Sequence, residues 1–186
     1  MKKMIQLIVS IIALTVMAPG HAETSQDVDC LAKNIFYEAG SEPEEGKVAV
    51  GVVTLNRVRE GFGRTICEVV HQRTQFSKNI EIQKTRLVKT GWFGRTEEVA
   101  YTEIKTRVST ICQFSWACAN MPKPKMLDYR WQESRRVAQS LVDGDYSDLL
   151  DKYSSAMYFH SAKIRPTWAR QKVFLNKVGS QVFYSN

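Results

Sequence analysis

The sequence predicts an α+β domain, mostly helical, with a small β-sheet toward its C-terminus. Apolar residues recur at helical spacing in three separate stretches, and aromatic and β-branched residues concentrate in two late ones. No low-complexity linker or internal repeat divides the 186 residues, which fit one domain with a sizeable core.

The first 22 residues read as a secretory signal peptide. Lys2 and Lys3 precede an apolar run from Met4 to Met17, and Gly20 and Ala22 supply the small residues for a cut after Ala22. The run is short for a membrane span, which needs roughly 20 apolar residues; an uncleaved anchor is the alternative reading. No other stretch is apolar enough to cross a bilayer, so residues 23–186 are expected as an exported domain of the periplasm or cell envelope, read as a monomer.

Val28, Leu31, Ala32, Ile35 and Ala39 form the apolar stripe of a first helix, and Glu38 stands at its margin. Gly40 ends that helix. Ser41 and Glu44 read as the capping box of a second helix, about 44–59, with Pro43 in its first turn. Thr65 and Glu68 cap a short third helix carrying Cys67, Val69 and Val70. The stretch 80–92 has no clear pattern, and Val99, Ile104, Val108 and Ile111 suggest a helix over about 97–112. Residues 120–124 form a loop around Pro122 and Pro124. A helix over about 129–143 turns Trp131, Ala138, Leu141 and Val142 inward and stops at Gly144. Residues 156–160 and 173–184 read as strands.

Cys30, Cys67, Cys112 and Cys118 follow the leader, and an even count in an oxidising compartment suggests disulfides. Four cysteines allow three connectivities; the expected one joins Cys112 to Cys118 and Cys30 to Cys67, with free core thiols as the alternative. No Cys-x-x-Cys or His-Glu-x-x-His spacing marks a zinc site, and no metal or other cofactor is expected. The 26 basic residues outnumber the 19 acidic ones, for a net charge of +7. Such a balance suits an anionic partner, whether cell-wall glycan, membrane surface or nucleic acid, and charge alone does not choose among them. No basic stripe with interleaved aromatics marks a nucleic-acid surface, and none is expected as partner.

Chemistry concentrates at Glu38. A carboxyl at the edge of an apolar stripe tends to hold its proton, and the helix break beside it opens a corner that a substrate can reach. The bland alternative is a solvated helix-end carboxylate. A Gly-x-Ser-x-Gly elbow is absent, and a Cys/His pair would need a free thiol in an oxidising compartment.

Several motifs in fixed order carry a resemblance. They are Tyr37-Glu38-Ala39, Glu42-Pro43, Gly46, Val48-Ala49-Val50 and Leu55-Asn56-Arg57-Val58, then Cys112-Gln113-Phe114-Ser115-Trp116 and Ala156-Met157-Tyr158-Phe159-His160. Pro166-Thr167-Trp168-Ala169 and Gly179-Ser180-Gln181-Val182-Phe183-Tyr184 complete the series. The chain resembles the SleB/CwlJ cell wall hydrolases, the family of the spore-cortex-lytic enzymes. Two departures stand out. The family's Ala-Arg-Gly-Glu is here Ala39-Gly40-Ser41-Glu42, which lacks the Arg, and residues 78–110 look like an insertion between Gln75-Phe76-Ser77 and the better-matching Gln113-Phe114-Ser115-Trp116.

The resemblance implies a domain like those of lysozymes and lytic transglycosylases, with peptidoglycan as its partner and substrate. It implies glycan-strand cleavage between N-acetylmuramic acid and N-acetylglucosamine, with Glu38 as catalytic acid and base and without a metal. Glu42, Gln113, Ser115, Trp116, Tyr158, His160 and Trp168 become supporting or substrate-binding residues. The alternatives are a two-carboxylate muramidase, an N-acetylmuramoyl-L-alanine amidase, and a non-catalytic module that grips envelope glycan.

Overall fold

The computed structural model describes residues 25–186, so the leader and its cleavage site lie outside the described residues. Helix α1 (Ser25–Ala39) is the centre of the body and packs against α2 (Glu44–Arg59), α3 (Ile66–Val70) and α4 (Tyr129–Asp143). Its stripe of Leu31, Ala32 and Ile35 has no solvent exposure, and it meets the equally buried Val48, Val50 and Val53 of α2, Val69 and Val70 of α3, and Val137 and Ala138 of α4. Each such Val, Leu or Ile side chain removed from water contributes on the order of 1.5–3 kcal/mol, and each Ala less. A short α5 (Ser147–Lys152) leads to Tyr153, which is fully buried.

The C-terminal sheet is antiparallel in the order β3 (Tyr158–Ser161), β5 (Gln181–Ser185), β4 (Val173–Val178). Phe183 of β5 packs on Tyr153 and Phe159, and this contact joins the sheet to the helical core. Thr65 accepts from the Glu68 N–H, Asp128 caps α4, and Gly144 closes α4, as the spacing predicts for Thr65 and Gly144.

The expectation of a mostly helical, lysozyme-like domain is corrected. The described residues are 40% helix and 31% strand, with two small sheets. Most of the difference is one ribbon. Strands β1 (Arg73–Thr90) and β2 (Arg95–Cys112) pair in unbroken register from Arg73↔Cys112 to Thr90↔Arg95, where a helix over 97–112 was expected. Thr96, Val99, Tyr101, Thr102, Ile104, Thr106, Val108 and Thr110 are β-branched or aromatic, and these side chains favour a pleated surface over a helix. Both faces of the ribbon are largely solvated, so its sequence carries no alternation of apolar and polar residues to mark the strands.

A second correction concerns the start of α2. Its N-cap is Pro43, and no side chain caps it. Glu44 turns instead to Tyr146 and to Arg136, 3.2 Å away, leaving Ser41 without the reciprocal partner a capping box needs. The turn is held by backbone: Gly40 N–H donates to Phe36 O at 3.1 Å and Glu42 N–H to Ala39 O at 2.9 Å. A Cβ at Gly40 would lie 2.4 Å from Phe36 O, so this close approach requires glycine.

Candidate active site

The last turn of α1 presents Glu38 to a pocket of about 130 Å³ whose other walls are Arg57, Gln113, Phe114, Ser115 and Phe159. Among the described residues that line it, Glu38 is the only carboxylate. Burial pushes its pKa up, and the positive charge of Arg57 opposes that rise. The backbone beneath is pinned by Gln181, whose amide donates to Glu38 O at 2.9 Å.

Arg57 was quoted in a motif but given no role by the sequence. It is buried, its Nε donates to Met157 O at 3.0 Å, and its guanidinium lies 5.0 Å from the centre of the Phe114 ring. Desolvation pushes its pKa down to about 10, while the charges of Tyr158 and Glu38 act the other way. Its Nη1 is buried with no hydrogen-bond partner, as is Oε1 of Gln181. The signal was present in the sequence: Val50, Val53 and Arg57 follow at i, i+3, i+7, a cation on an apolar stripe. Neighbouring Asn56 donates to Tyr153 O at 2.9 Å and Ala156 O at 2.7 Å, so Asn56 and Arg57 together fix the approach to β3.

Gln113 and Ser115 line the pocket from the segment between Cys112 and Cys118, which a disulfide closes. The other bond, Cys30–Cys67, ties α1 to α3, and no free cysteine remains. Trp116 lies beside the pocket in a second cleft of about 430 Å³ with Tyr37, His71 and Trp131. Its ring stacks on Tyr37 at 4.6 Å, and its Nε1 donates to Asn34 Oδ1 at 2.9 Å. Asn34 in turn donates to Thr54, a buried link between α1 and α2. A third cleft of about 490 Å³ adjoins the second and shares Tyr37, Met121, Lys123 and Pro124 with it.

The remaining sequence-derived residues are not brought to this pocket. Glu42 faces the β4–β5 turn, where its carboxylate accepts from Ser180 N–H at 2.8 Å and from the Ser180 hydroxyl. His160 is buried, with Nδ1 2.9 Å from Ser161 O and Nε2 3.1 Å from the Tyr184 hydroxyl. A carbonyl can only accept, so Nδ1 carries the proton and both nitrogens are satisfied. Trp168 packs among Tyr158, His160 and Tyr184. The Tyr158 hydroxyl donates to Asn186 Oδ1 at 3.0 Å. Among the described residues, no three His, Cys, Asp or Glu side chains come together as metal ligands.

This fold and pocket define an enzyme-like α+β domain with one shielded carboxyl at the end of its central helix. The family model described as Cell Wall Hydrolase matches residues 41–99 and 85–184, and the chain belongs to that family. It is therefore a cell wall hydrolase acting on peptidoglycan. No curated protein and no solved structure matches it. Two disulfides suit the same extracytoplasmic setting, and no helix among the described residues is long and apolar enough to cross a membrane.

Proposed function

We propose that the protein is a lytic transglycosylase that cleaves the glycan strand between N-acetylmuramic acid and N-acetylglucosamine, with Glu38 as its single acid and base. The observation that supports this reading is a protonation-prone carboxyl alone among the acids in its pocket. A two-carboxylate hydrolase needs a second group within roughly 5–9.5 Å to act as nucleophile or base. The nearest acids in sequence are committed elsewhere: Glu42 to Ser180, Glu44 to Tyr146 and Arg136, Glu45 to Lys152 and Tyr153.

In the first step Glu38 gives its proton to the glycosidic oxygen as the bond to the muramic acid C1 breaks. In the second, the carboxylate takes the proton of the muramic acid 6-hydroxyl while that oxygen bonds to C1. The product is a 1,6-anhydro sugar, Glu38 ends protonated again, and no water is consumed. Gln113 and Ser115 offer an amide and a hydroxyl to the sugar's polar groups. The cleft lined by Trp116 and Tyr37 lies next in the chain to Ser115 of the Glu38 pocket and offers aromatic faces to a sugar strand. Export through the leader at residues 1–22 would deliver the enzyme to the periplasm or cell envelope.

Purified peptidoglycan digested with the protein and resolved by mass spectrometry tests the reading. Anhydro-muramic ends, one water lighter than reducing ends, are expected. Reducing ends would make the enzyme a muramidase, and free stem peptides an amidase.

A further inference from the structure

The β1–β2 ribbon is the largest feature that the pocket does not use. Eighteen paired residues per strand give it a length of roughly 60 Å. It is anchored at its base, where Gln113 N–H donates to Gln72 O, Arg73 donates to Ala117 O, and the Cys112–Cys118 bond closes the adjoining loop. Its far end is Gly91-Trp92-Phe93-Gly94, with both glycines at positive φ (72° and 62°). Trp92 is 99% exposed, Phe93 95% and Leu87 73%.

Nothing among the described residues covers these side chains, although two adjacent exposed aromatics are expensive in water. The charge nearest them is positive: Lys89 and Arg95 flank the turn with no acid between them, and Glu97 and Glu98 stand farther down β2, opposite Val88 and Leu87. We propose that this tip is a membrane-surface anchor, inserting Trp92 and Phe93 into the interface of an anionic lipid bilayer and holding the catalytic body away from it on the ribbon.

Three observations favour a bilayer over another partner. Trp side chains partition to the boundary between headgroups and acyl chains, and a basic collar complements anionic headgroups. Only the turn with Trp92 and Phe93 lies beyond Lys89 and Arg95, so the apolar end is shallow, in keeping with the roughly 5–10 Å insertion depth of interfacial segments. The tip is also convex. A protein partner would have to offer a cavity shaped to it, whereas lipid deforms around it, and glycine and threonine beside the aromatics supply none of the amide or carboxylate groups that orient a bound sugar. The proposal concerns attachment and is independent of the glycan-cleaving chemistry.

The test takes protein from the exported fraction and sediments it with vesicles of phosphatidylethanolamine and phosphatidylglycerol, or of phosphatidylcholine alone, in about 0.1 M salt. The protein is expected to pellet with the anionic vesicles. Trp92→Ser/Phe93→Ser should weaken that binding about tenfold or more, and Lys89→Glu should weaken it on anionic vesicles only. A lipid with brominated chains should quench wild-type fluorescence more than that of Trp92→Phe, which keeps Trp116, Trp131 and Trp168 and a tip of similar shape. The proposal is overturned if the wild type stays in solution, if the tip variants bind as well as wild type, if quenching is the same with and without Trp92, or if the tip variants lose their hold on purified peptidoglycan alone.

Discussion

Arg57 and Glu38 face one small pocket from two helices, and their charges oppose the effect of burial on each other: Arg57 holds the Glu38 pKa down, and Glu38 holds the Arg57 pKa up. Burial remains the larger influence on both. The pocket therefore keeps a proton on Glu38 to higher pH than an exposed glutamate would, while leaving the neighbouring cation in place.

Protonation of Glu38 sets the alkaline limit of the reaction. A general acid works only while protonated, so the rate should fall as pH rises through the elevated pKa. Arg57→Gln removes the opposing charge and should move that alkaline limb upward. The pH profile of turnover in both proteins checks this, and an unmoved or lowered limb would remove Arg57 from the electrostatics of the site.

Glu38→Gln keeps the size and hydrogen bonding of the side chain but has no proton to deliver. Cleavage of peptidoglycan should fall about a hundredfold or more. Stability should move the other way. A carboxyl whose folded pKa is raised stabilises the fold below its unfolded pKa, near 4.5, and loses that contribution as pH rises through the folded value. The variant should therefore melt at or above the wild-type temperature at neutral pH, with the gap closing in acid. Calorimetry at both pH values checks the sign.

Glu42 gives the opposite pattern. Its carboxylate accepts two hydrogen bonds from Ser180 and its backbone carbonyl accepts from Lys47 Nζ at 2.6 Å, so it fastens the β4–β5 turn to the loop after α1. Glu42→Gln weakens charge-assisted bonds of about 1.5–3 kcal/mol and should lower the melting temperature by several degrees. Its rate at a temperature well below melting should stay within a few-fold of wild type. If Glu42→Gln proves inactive while folded, the roles of the two glutamates are exchanged.

Helices α1 and α4 were legible in the sequence because each has a dry side and a wet side: Leu31 and Ile35, or Trp131, Ala138 and Leu141, recur at the spacing that one buried face imposes, whereas α2 is buried all round from Gly46 to Thr54. The C-terminal strands were legible from their aromatic content. The long ribbon was not, because solvent on both faces removes the contrast on which periodicity depends, and four apolar residues of β2 happened to fall near helical intervals. Glu38 was visible from its place on the α1 stripe. Arg57 was not assigned because a cation within an apolar run reads as a helix surface until a tertiary neighbour, here Phe114 and Met157 O, accounts for its burial. His160 and Trp168 matched motifs, yet they serve the packing of the sheet.

The two disulfides make separable predictions, because they close loops of different length in different places. Cys30–Cys67 spans 37 residues and joins core helices, so by loop entropy its loss should cost about 4 kcal/mol, felt as stability. Cys112–Cys118 spans 6 residues, and its loss should cost only about 2 kcal/mol. Yet the short loop carries Gln113 and Ser115, two of the polar walls around Glu38, and a catalytic pocket loses rate when its walls shift by about 1 Å. Cys112→Ser/Cys118→Ser should therefore lose activity out of proportion to its small drop in melting temperature. Cys30→Ser/Cys67→Ser should melt much earlier but keep most of its rate at temperatures where it remains folded. Melting curves and peptidoglycan digestion on both double variants distinguish the two bonds, and full activity in Cys112→Ser/Cys118→Ser would show that the loop holds its catalytic geometry without the covalent closure.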